Sequence, residues 1–116
     1  MEEKCPIEST LSLISGKWKI LILKELIIKP VRYNVLIKKI PNISAKVLTQ
    51  QLKDMENDGI ILREVYAEIP PRVEYSLSKK GRSMLRILKE MAIWGLENDN
   101  ENLSKCPECK QCEFIG

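Results

Sequence analysis

The sequence contains no histidine, and only one phenylalanine, two tryptophans, three tyrosines and five glycines. Without histidine the chain lacks the commonest general base and the commonest metal ligand. The glycines form no phosphate-binding loop, and no candidate nucleophile has a visible base beside it. These absences argue against an enzyme. They leave a thiol or metal redox protein, built on the C-terminal cysteines, as the one enzyme-like alternative.

Long apolar runs are also missing. Ile20–Leu23 and Leu26–Ile28 are typical of the short runs present, and a transmembrane helix needs roughly 18 apolar residues or more. Residues 1–6 lack the basic start and the apolar stretch of a secretory signal. We therefore expect a cytoplasmic protein with no membrane contact, whose thiols are mostly reduced.

Acidic residues are absent from one window of the chain. Between Leu26 and Lys53 there is no Asp or Glu, while six basic side chains occur there: Lys29, Arg32, Lys38, Lys39, Lys46 and Lys53. Over residues 4–96 the chain has 17 basic and 9 acidic side chains, whereas its two ends are acidic. Packing gives no reason to exclude acids from one window, so the pattern indicates a polyanionic partner. Duplex DNA is the favoured one.

The periodicity of the apolar residues and the positions of capping residues, prolines and glycines predict a mainly α fold with a small β hairpin. Ser44 is a good N-cap and Gly59 a good C-terminal stop for a helix with Leu48, Leu52 and Met55 on its inner face. The other expected elements are a helix over 6–14, a bend or interruption at Gly16, and a second helical stretch that includes Trp18 and ends before Pro30. They continue with a very short strand at 31–32, a helix over 33–40, strands over 60–66 and 73–77, and one long final helix that begins at Ser78.

Two short helices, a turn and a hairpin are typical of a winged helix-turn-helix domain, whose second helix enters the major groove. On that helix Gln50 can pair with adenine, Lys46 with guanine and Thr49 with a thymine methyl or a phosphate. Ser44 starts the helix beside them. Lys38, Lys39, Lys53 and Arg72 are expected to neutralise phosphates. The alternative is an ordinary solvated face, or a winged-helix module that binds a protein instead.

The final helix has a wide apolar face that one domain cannot easily cover. Two copies can pack these helices, together with the helix that follows Cys5, into a symmetric dimer. We therefore predict a DNA-binding and dimerisation domain over residues 1–96, dimeric through its terminal helices. Residues 97–116 are predicted to be an acidic linker and a cysteine-bearing tail.

Over residues 5–95 the chain resembles the HxlR-type transcriptional regulators, which are winged helix-turn-helix proteins related to the MarR group. The matching segments are Cys5-Pro6-Ile7-Glu8, Gly16-Lys17-Trp18-Lys19, Arg32-Tyr33-Asn34, Ile40-Pro41-Asn42-Ile43-Ser44, Leu48-Thr49-Gln50-Gln51-Leu52, Asp58-Gly59, Pro70-Pro71-Arg72-Val73-Glu74-Tyr75-Ser76-Leu77 and Gly81-Arg82. The resemblance implies a homodimer that binds a pseudo-palindromic operator. Val35 departs from the pattern, since such proteins often have an acidic residue there.

Four cysteines remain to be assigned. Cys5 precedes Pro6 at a helix start, where the helix dipole favours a thiolate. The resemblance implies that Cys5 senses an oxidant or a small electrophile, and a plain capping role is the alternative. Cys106, Cys109 and Cys112 have a spacing that suits zinc or an iron-sulfur cluster, but a fourth ligand is missing nearby. An unstructured tail explains them equally well, so no cofactor is predicted.

Overall fold

The computed structural model of the chain describes residues 5–98. Its elements are α1 (Pro6–Ile14), α2 (Lys17–Leu26), β1 (Val31–Arg32), α3 (Tyr33–Lys39), α4 (Ala45–Asn57), β2 (Ile61–Tyr66), β3 (Arg72–Leu77), α5 (Lys79–Ser83) and α6 (Leu85–Asn98). This mainly helical chain with a small antiparallel sheet confirms the predicted winged helix-turn-helix fold class.

Local signals set the ends of the first helices. Cys5 is the N-cap of α1 and Pro6 is its first residue, where the missing N–H costs nothing. Gly16 separates α1 from α2 with a φ of +100°, a conformation that side chains with a Cβ rarely adopt. The interruption predicted at Gly16 is therefore confirmed.

Helix α4 begins after a capping serine and is followed by a glycine that ends it. The Ser44 hydroxyl accepts a hydrogen bond from the Val47 N–H at 3.1 Å, which satisfies one of the free donors at the helix start. Gly59 follows the helix with a φ of +78°. Between them Leu48 and Met55 are fully buried, so the rotation of α4 about its own axis is fixed by the core.

The sheet has three strands in the order β1-β3-β2, and both pairings are antiparallel. Val31 lies opposite Tyr75 on one side of β3, and Arg63 lies opposite the same tyrosine on the other side. The hairpin and the short strand were expected from the sequence, but the pairing of that strand with β3 was not. It ties the start of α3 to the hairpin.

One prediction about the last element was wrong, because the chain after Ser78 forms two helices rather than one. Helix α5 packs directly on the backbone, since a Cβ added to Gly81 would lie 2.1 Å from the Ile60 carbonyl oxygen. The chain then tightens, with the Met84 N–H bonded to the Gly81 carbonyl three residues earlier. Met84 and Leu88, on either side of the start of α6, are both buried in the core.

A single apolar cluster joins these elements. Its fully buried side chains are Ile22, Leu23, Leu26, Leu36, Leu48, Leu52, Met55, Ile60 and Ile61. They come from α2, α3, α4 and the hairpin, so the two helices of the motif and the hairpin are held as one rigid unit. No helix within residues 5–98 is both long enough and apolar enough to cross a lipid bilayer.

Candidate nucleic-acid interface

The side of α4 that faces away from the core carries the residues expected to read DNA. Lys46, Thr49, Gln50 and Lys53 are all exposed, whereas Leu48 and Leu52 are buried between them. Ser44 is also exposed at the start of the helix. The structure therefore brings five of the predicted site residues together on one accessible helix surface.

Tyr33 fixes one of these side chains from the neighbouring helix. Its hydroxyl donates to the Ala45 carbonyl at 3.3 Å and lies 3.2 Å from the Thr49 hydroxyl. A phenol has one proton, so when Tyr33 donates it to Ala45 the Thr49 hydroxyl is the donor in the second bond. This link joins α3 to the exposed surface of α4. Sequence reasoning missed it, because the two residues are 16 positions apart.

Gln50 is held within its own helix. Its amide nitrogen donates to the Asp54 carboxylate at 3.0 Å, one helical turn further on. Asp54 lies just beyond the acid-free window and was also missed. To present both amide groups to an adenine, Gln50 must exchange this bond for one to the base.

The predicted phosphate contacts at the end of α3 are accessible. Lys38 is exposed, and its side chain forms no hydrogen bond or ion pair within residues 5–98. The Lys39 ammonium lies 3.9 Å from the Glu25 carboxylate, with 59% of its side chain exposed. An exposed ion pair at that distance contributes about 0–1 kcal/mol, so Lys39 can exchange Glu25 for a phosphate at little cost.

Arg72 has a different environment from the one expected of a basic hairpin tip. Its guanidinium lies 3.5 Å from the Glu68 carboxylate, 3.4 Å from the Glu74 carboxylate and 4.0 Å from the centre of the Tyr66 ring. The approach to Glu74 lacks hydrogen-bond geometry, because the Arg72 Nε atom has no hydrogen-bond partner within residues 5–98. Two carboxylates thus offset the charge of Arg72, and its contact with phosphate stays a prediction.

Cys5 is exposed at the start of α1. Its side chain forms no cap hydrogen bond of full geometry, but the backbone N–H groups of Glu8 and then Ile7 lower the pKa of the Cys5 thiol. A lowered pKa raises the thiolate fraction near neutral pH, and the thiolate is the reactive form. The other three cysteines, Cys106, Cys109 and Cys112, lie outside the described residues.

Apolar side chains are exposed on both terminal helices. Ile7 and Leu11 on α1 are 71% and 49% exposed, and Met91 and Trp94 on α6 are 51% and 65% exposed. A groove of about 330 Å³ runs between the two helices at Ile7, Leu11 and Met91. This is the surface on which the sequence predicts a dimer.

The family model for the HxlR-like helix-turn-helix matches residues 13–103. The chain belongs to the HxlR family. The match includes both helices of the motif, the hairpin and α6, so the family assignment covers the whole candidate interface.

Among curated relatives, the HTH-type transcriptional regulator YdeP of Bacillus subtilis is 41% identical over 111 residues, which cover 96% of this chain and 86% of YdeP. The reduced form of the redox regulator HypR is 40% identical and superposes with a TM-score of 0.78, covering 88% of this chain and 100% of that structure. The reduced form of the transcriptional regulator YodB from B. subtilis is 34% identical, with a TM-score of 0.76 over 84% of this chain and 97% of that structure.

This HxlR protein is therefore a helix-turn-helix transcriptional regulator related to the MarR group, and not an enzyme. The resemblance that the sequence motifs indicated is confirmed.

Proposed function

We propose that this HxlR-family protein binds a pseudo-palindromic DNA operator as a homodimer, with α4 of each protomer in the major groove. The observation that carries the proposal is the exposed surface of α4, where Lys46, Gln50 and Lys53 project from a helix whose opposite side is locked in the core. A rigid helix of this length fits the major groove and can present donors to base edges.

The charges near α4 support the same function. Lys38 and Lys39 at the end of α3 and Lys53 on α4 are exposed cations, and no Asp or Glu occurs between Leu26 and Lys53. Cations at these positions would fix the position of the duplex through its phosphates, while Lys46, Thr49 and Gln50 read bases. A partner protein held by apolar contact would not need such a charge distribution.

The second part of the proposal is that Cys5 makes operator binding sensitive to oxidants or small electrophiles. The thiol is exposed, its pKa is lowered, and it stands at the start of a helix that presents apolar side chains for a dimer. Modification there would change the packing of α1 and hence the angle between the two reading helices. The similar structures include a protein described as a redox regulator, which supports this reading.

Selection of bound sequences from random duplexes tests the proposed function on the full chain. We expect enrichment of a two-fold symmetric sequence whose half-sites lie about one helical turn, or 10 base pairs, apart. Affinity for the selected duplex should fall steeply as salt rises, because each neutralised phosphate releases counterions.

Lys46→Gln should weaken binding to the selected duplex, and Lys79→Gln serves as the matched control because Lys79 is an exposed lysine on α5. Failure to enrich any sequence, together with flat salt dependence, would show instead a module that binds another kind of partner.

A further inference from the structure

The sequence leaves two roles open for Thr49, since a threonine on the exposed surface of α4 can contact a thymine methyl or a phosphate. A free hydroxyl can donate one hydrogen bond and accept others. The contacts of Tyr33 restrict this choice, because they decide where the proton of the Thr49 hydroxyl lies.

The Ala45 carbonyl accepts two hydrogen bonds. Ala45 is the first residue of α4, so its oxygen accepts the Thr49 N–H in the regular pattern of an α-helix. The Tyr33 hydroxyl approaches the same oxygen at 3.3 Å. A carbonyl oxygen has two lone pairs and no proton. Tyr33 is therefore the donor in its bond, and the carbonyl has no lone pair left for the Thr49 hydroxyl.

The Thr49 hydroxyl accordingly gives its proton to Tyr33. A threonine in a helix can donate to the carbonyl four residues earlier, which for Thr49 is the occupied carbonyl of Ala45. The Tyr33 oxygen lies 3.2 Å from the Thr49 oxygen, and it can only accept there, because its own proton points at Ala45. Thr49 is left with free lone pairs and a methyl group, but with no proton to donate to DNA.

The position of Tyr33 is itself fixed by the fold. Tyr33 is the first residue of α3 and directly follows β1, whose Val31 pairs with Tyr75 of β3. Its ring is half-buried and packs against the apolar core. Thr49, in contrast, is exposed. The hydrogen bond thus joins an anchored ring to an accessible side chain and reduces the number of rotamers that Thr49 can adopt.

The groups on DNA differ in whether they can use such a side chain. Phosphate oxygens, the purine N7 atoms, guanine O6 and thymine O4 only accept hydrogen bonds, so a threonine without a free proton gains no hydrogen bond from them. Adenine N6 and cytosine N4 donate, and thymine alone has a methyl group. An A·T pair therefore offers both an amine and a methyl to Thr49, whereas a G·C pair offers only an amine.

We propose that Tyr33 is a positioning residue that makes Thr49 select an A·T pair instead of contacting a phosphate. This inference rests on the proposed function and deepens it. It assigns to Thr49 one of the two roles that the sequence allows, and it adds Tyr33, which acts through Thr49, to the residues that determine the operator sequence.

Tyr33→Phe in the full chain tests the proposal, because it removes the hydroxyl and keeps the ring that packs against the core. The Thr49 hydroxyl is then free to donate to DNA or to rotate toward Ala45. Fluorescence anisotropy gives the affinity for the selected operator, for its single-base-pair variants and for a random duplex. We expect the preference for A·T at one position of each half-site to fall by about two- to tenfold, the range for one hydrogen bond. Affinity for the random duplex should not change.

Thr49→Val shows whether the two residues act as a unit. It removes the hydroxyl, keeps a side chain of similar shape, and should lower the preference at the same position. Tyr33→Phe added to Thr49→Val should then have no further effect on that preference. Tyr75→Phe is the matched control, because it removes a phenolic hydroxyl from β3 and leaves the bond between Tyr33 and Thr49 in place. It should select bases like the wild type.

Three results would overturn this role of Tyr33 and leave the proposed function standing. They are an unchanged preference in Tyr33→Phe, losses that simply add in the double variant, and a wild-type preference for G·C at the position that Thr49→Val affects. An equal loss of affinity on operator and random duplex in Thr49→Val would also overturn it, because it would assign Thr49 to a phosphate. If the wild type bound no duplex at all, the proposed function itself would fail.

Discussion

At the residue scale, two of the side chains expected to read bases already have hydrogen-bond partners within the protein. Thr49 is joined to Tyr33 at 3.2 Å, and Gln50 to Asp54 at 3.0 Å. These bonds reduce the number of rotamers from which each side chain must be selected when DNA arrives, which lowers the entropic cost of binding. DNA binding must also weaken or exchange the Gln50 bond. The preference of Gln50 for a base therefore reflects the free-energy difference between its hydrogen bond within the protein and its hydrogen bond to the base.

Gln50→Ala tests the base-reading role. We expect a loss of about 1–3 kcal/mol in binding free energy on the selected operator, with relaxed preference at one base step, because the bidentate amide is removed. Fluorescence anisotropy on the operator and on its single-base variants measures both effects. Gln51→Ala is the matched control, since Gln51 is half-buried and lies beside the core rather than on the exposed surface. An equal loss on operator and random DNA would reduce Gln50 to a positioning contact.

Cys5→Ser tests the redox part of the proposal. The variant should bind the operator like the wild type but keep binding after treatment with diamide or a quinone, which should release the wild-type protein. Because backbone N–H groups lower the pKa of Cys5 below its ordinary value of 9.0, the rate of thiol modification should reach half its maximum below pH 9.0. The rate of thiol modification and the affinity for the operator can be measured on the same samples.

The triple variant Cys106→Ser, Cys109→Ser and Cys112→Ser is the control for the Cys5 experiment. It should remain as sensitive to oxidant as the wild type. Sensitivity retained in Cys5→Ser and lost in the triple variant would assign the sensor to the tail, and would leave Cys5 as a helix cap only.

At the scale of the elements, the sequence predicts those features that depend on residues close together in the chain. Pro6, Gly16, Ser44 and Gly59 each act through local backbone geometry or a hydrogen bond within one turn. The starts and ends of α1 and α4 could therefore be predicted to within a residue or two. The exposure of Gln50 follows in the same way, from the 100° step along a helix whose inner face is apolar.

Features that depend on distant segments could not be predicted in this way. The close approach of α5 to the backbone at Ile60 depends on Gly81, and nothing near Met84 in the sequence marks the division between α5 and α6. The pairing of β1 with β3 likewise joins residues that are far apart in the chain. Neither arrangement has a signal within a single element.

The environment of Arg72 is an intermediate case. The hairpin register places Tyr66 opposite Arg72, and Glu74 lies two residues further along β3, on the same face of the sheet. A register fitted to the alternating apolar residues of both strands would have placed these three side chains together. Considered without its neighbours in the sheet, Arg72 was instead expected to be a free cation at the hairpin tip.

At the scale of the whole molecule, the proposed function requires a dimer, and the protomer has an exposed apolar surface on its terminal helices. A groove of about 740 Å³ extends along α6 at Ile87, Met91 and Trp94, next to the groove between α1 and α6. Contiguous apolar surface of this kind is typical of an interface between subunits. A symmetric operator requires that two copies joined here about a two-fold axis present both α4 helices on one side of the dimer.

Trp94→Glu tests this arrangement. Trp94 is 65% exposed, so the substitution should leave the protomer folded, with an unchanged far-ultraviolet circular dichroism spectrum. A glutamate buried in the dimer interface would lack a partner and weaken association by about 3–5 kcal/mol, which sedimentation velocity would record as a shift from dimer to monomer. Operator affinity should fall to that of a single half-site. Leu62→Glu is the matched control, because Leu62 is 55% exposed on the hairpin and should leave the dimer intact. A dimer that persisted in Trp94→Glu with full operator affinity would place the subunit interface elsewhere and would require a different spacing of the two reading helices.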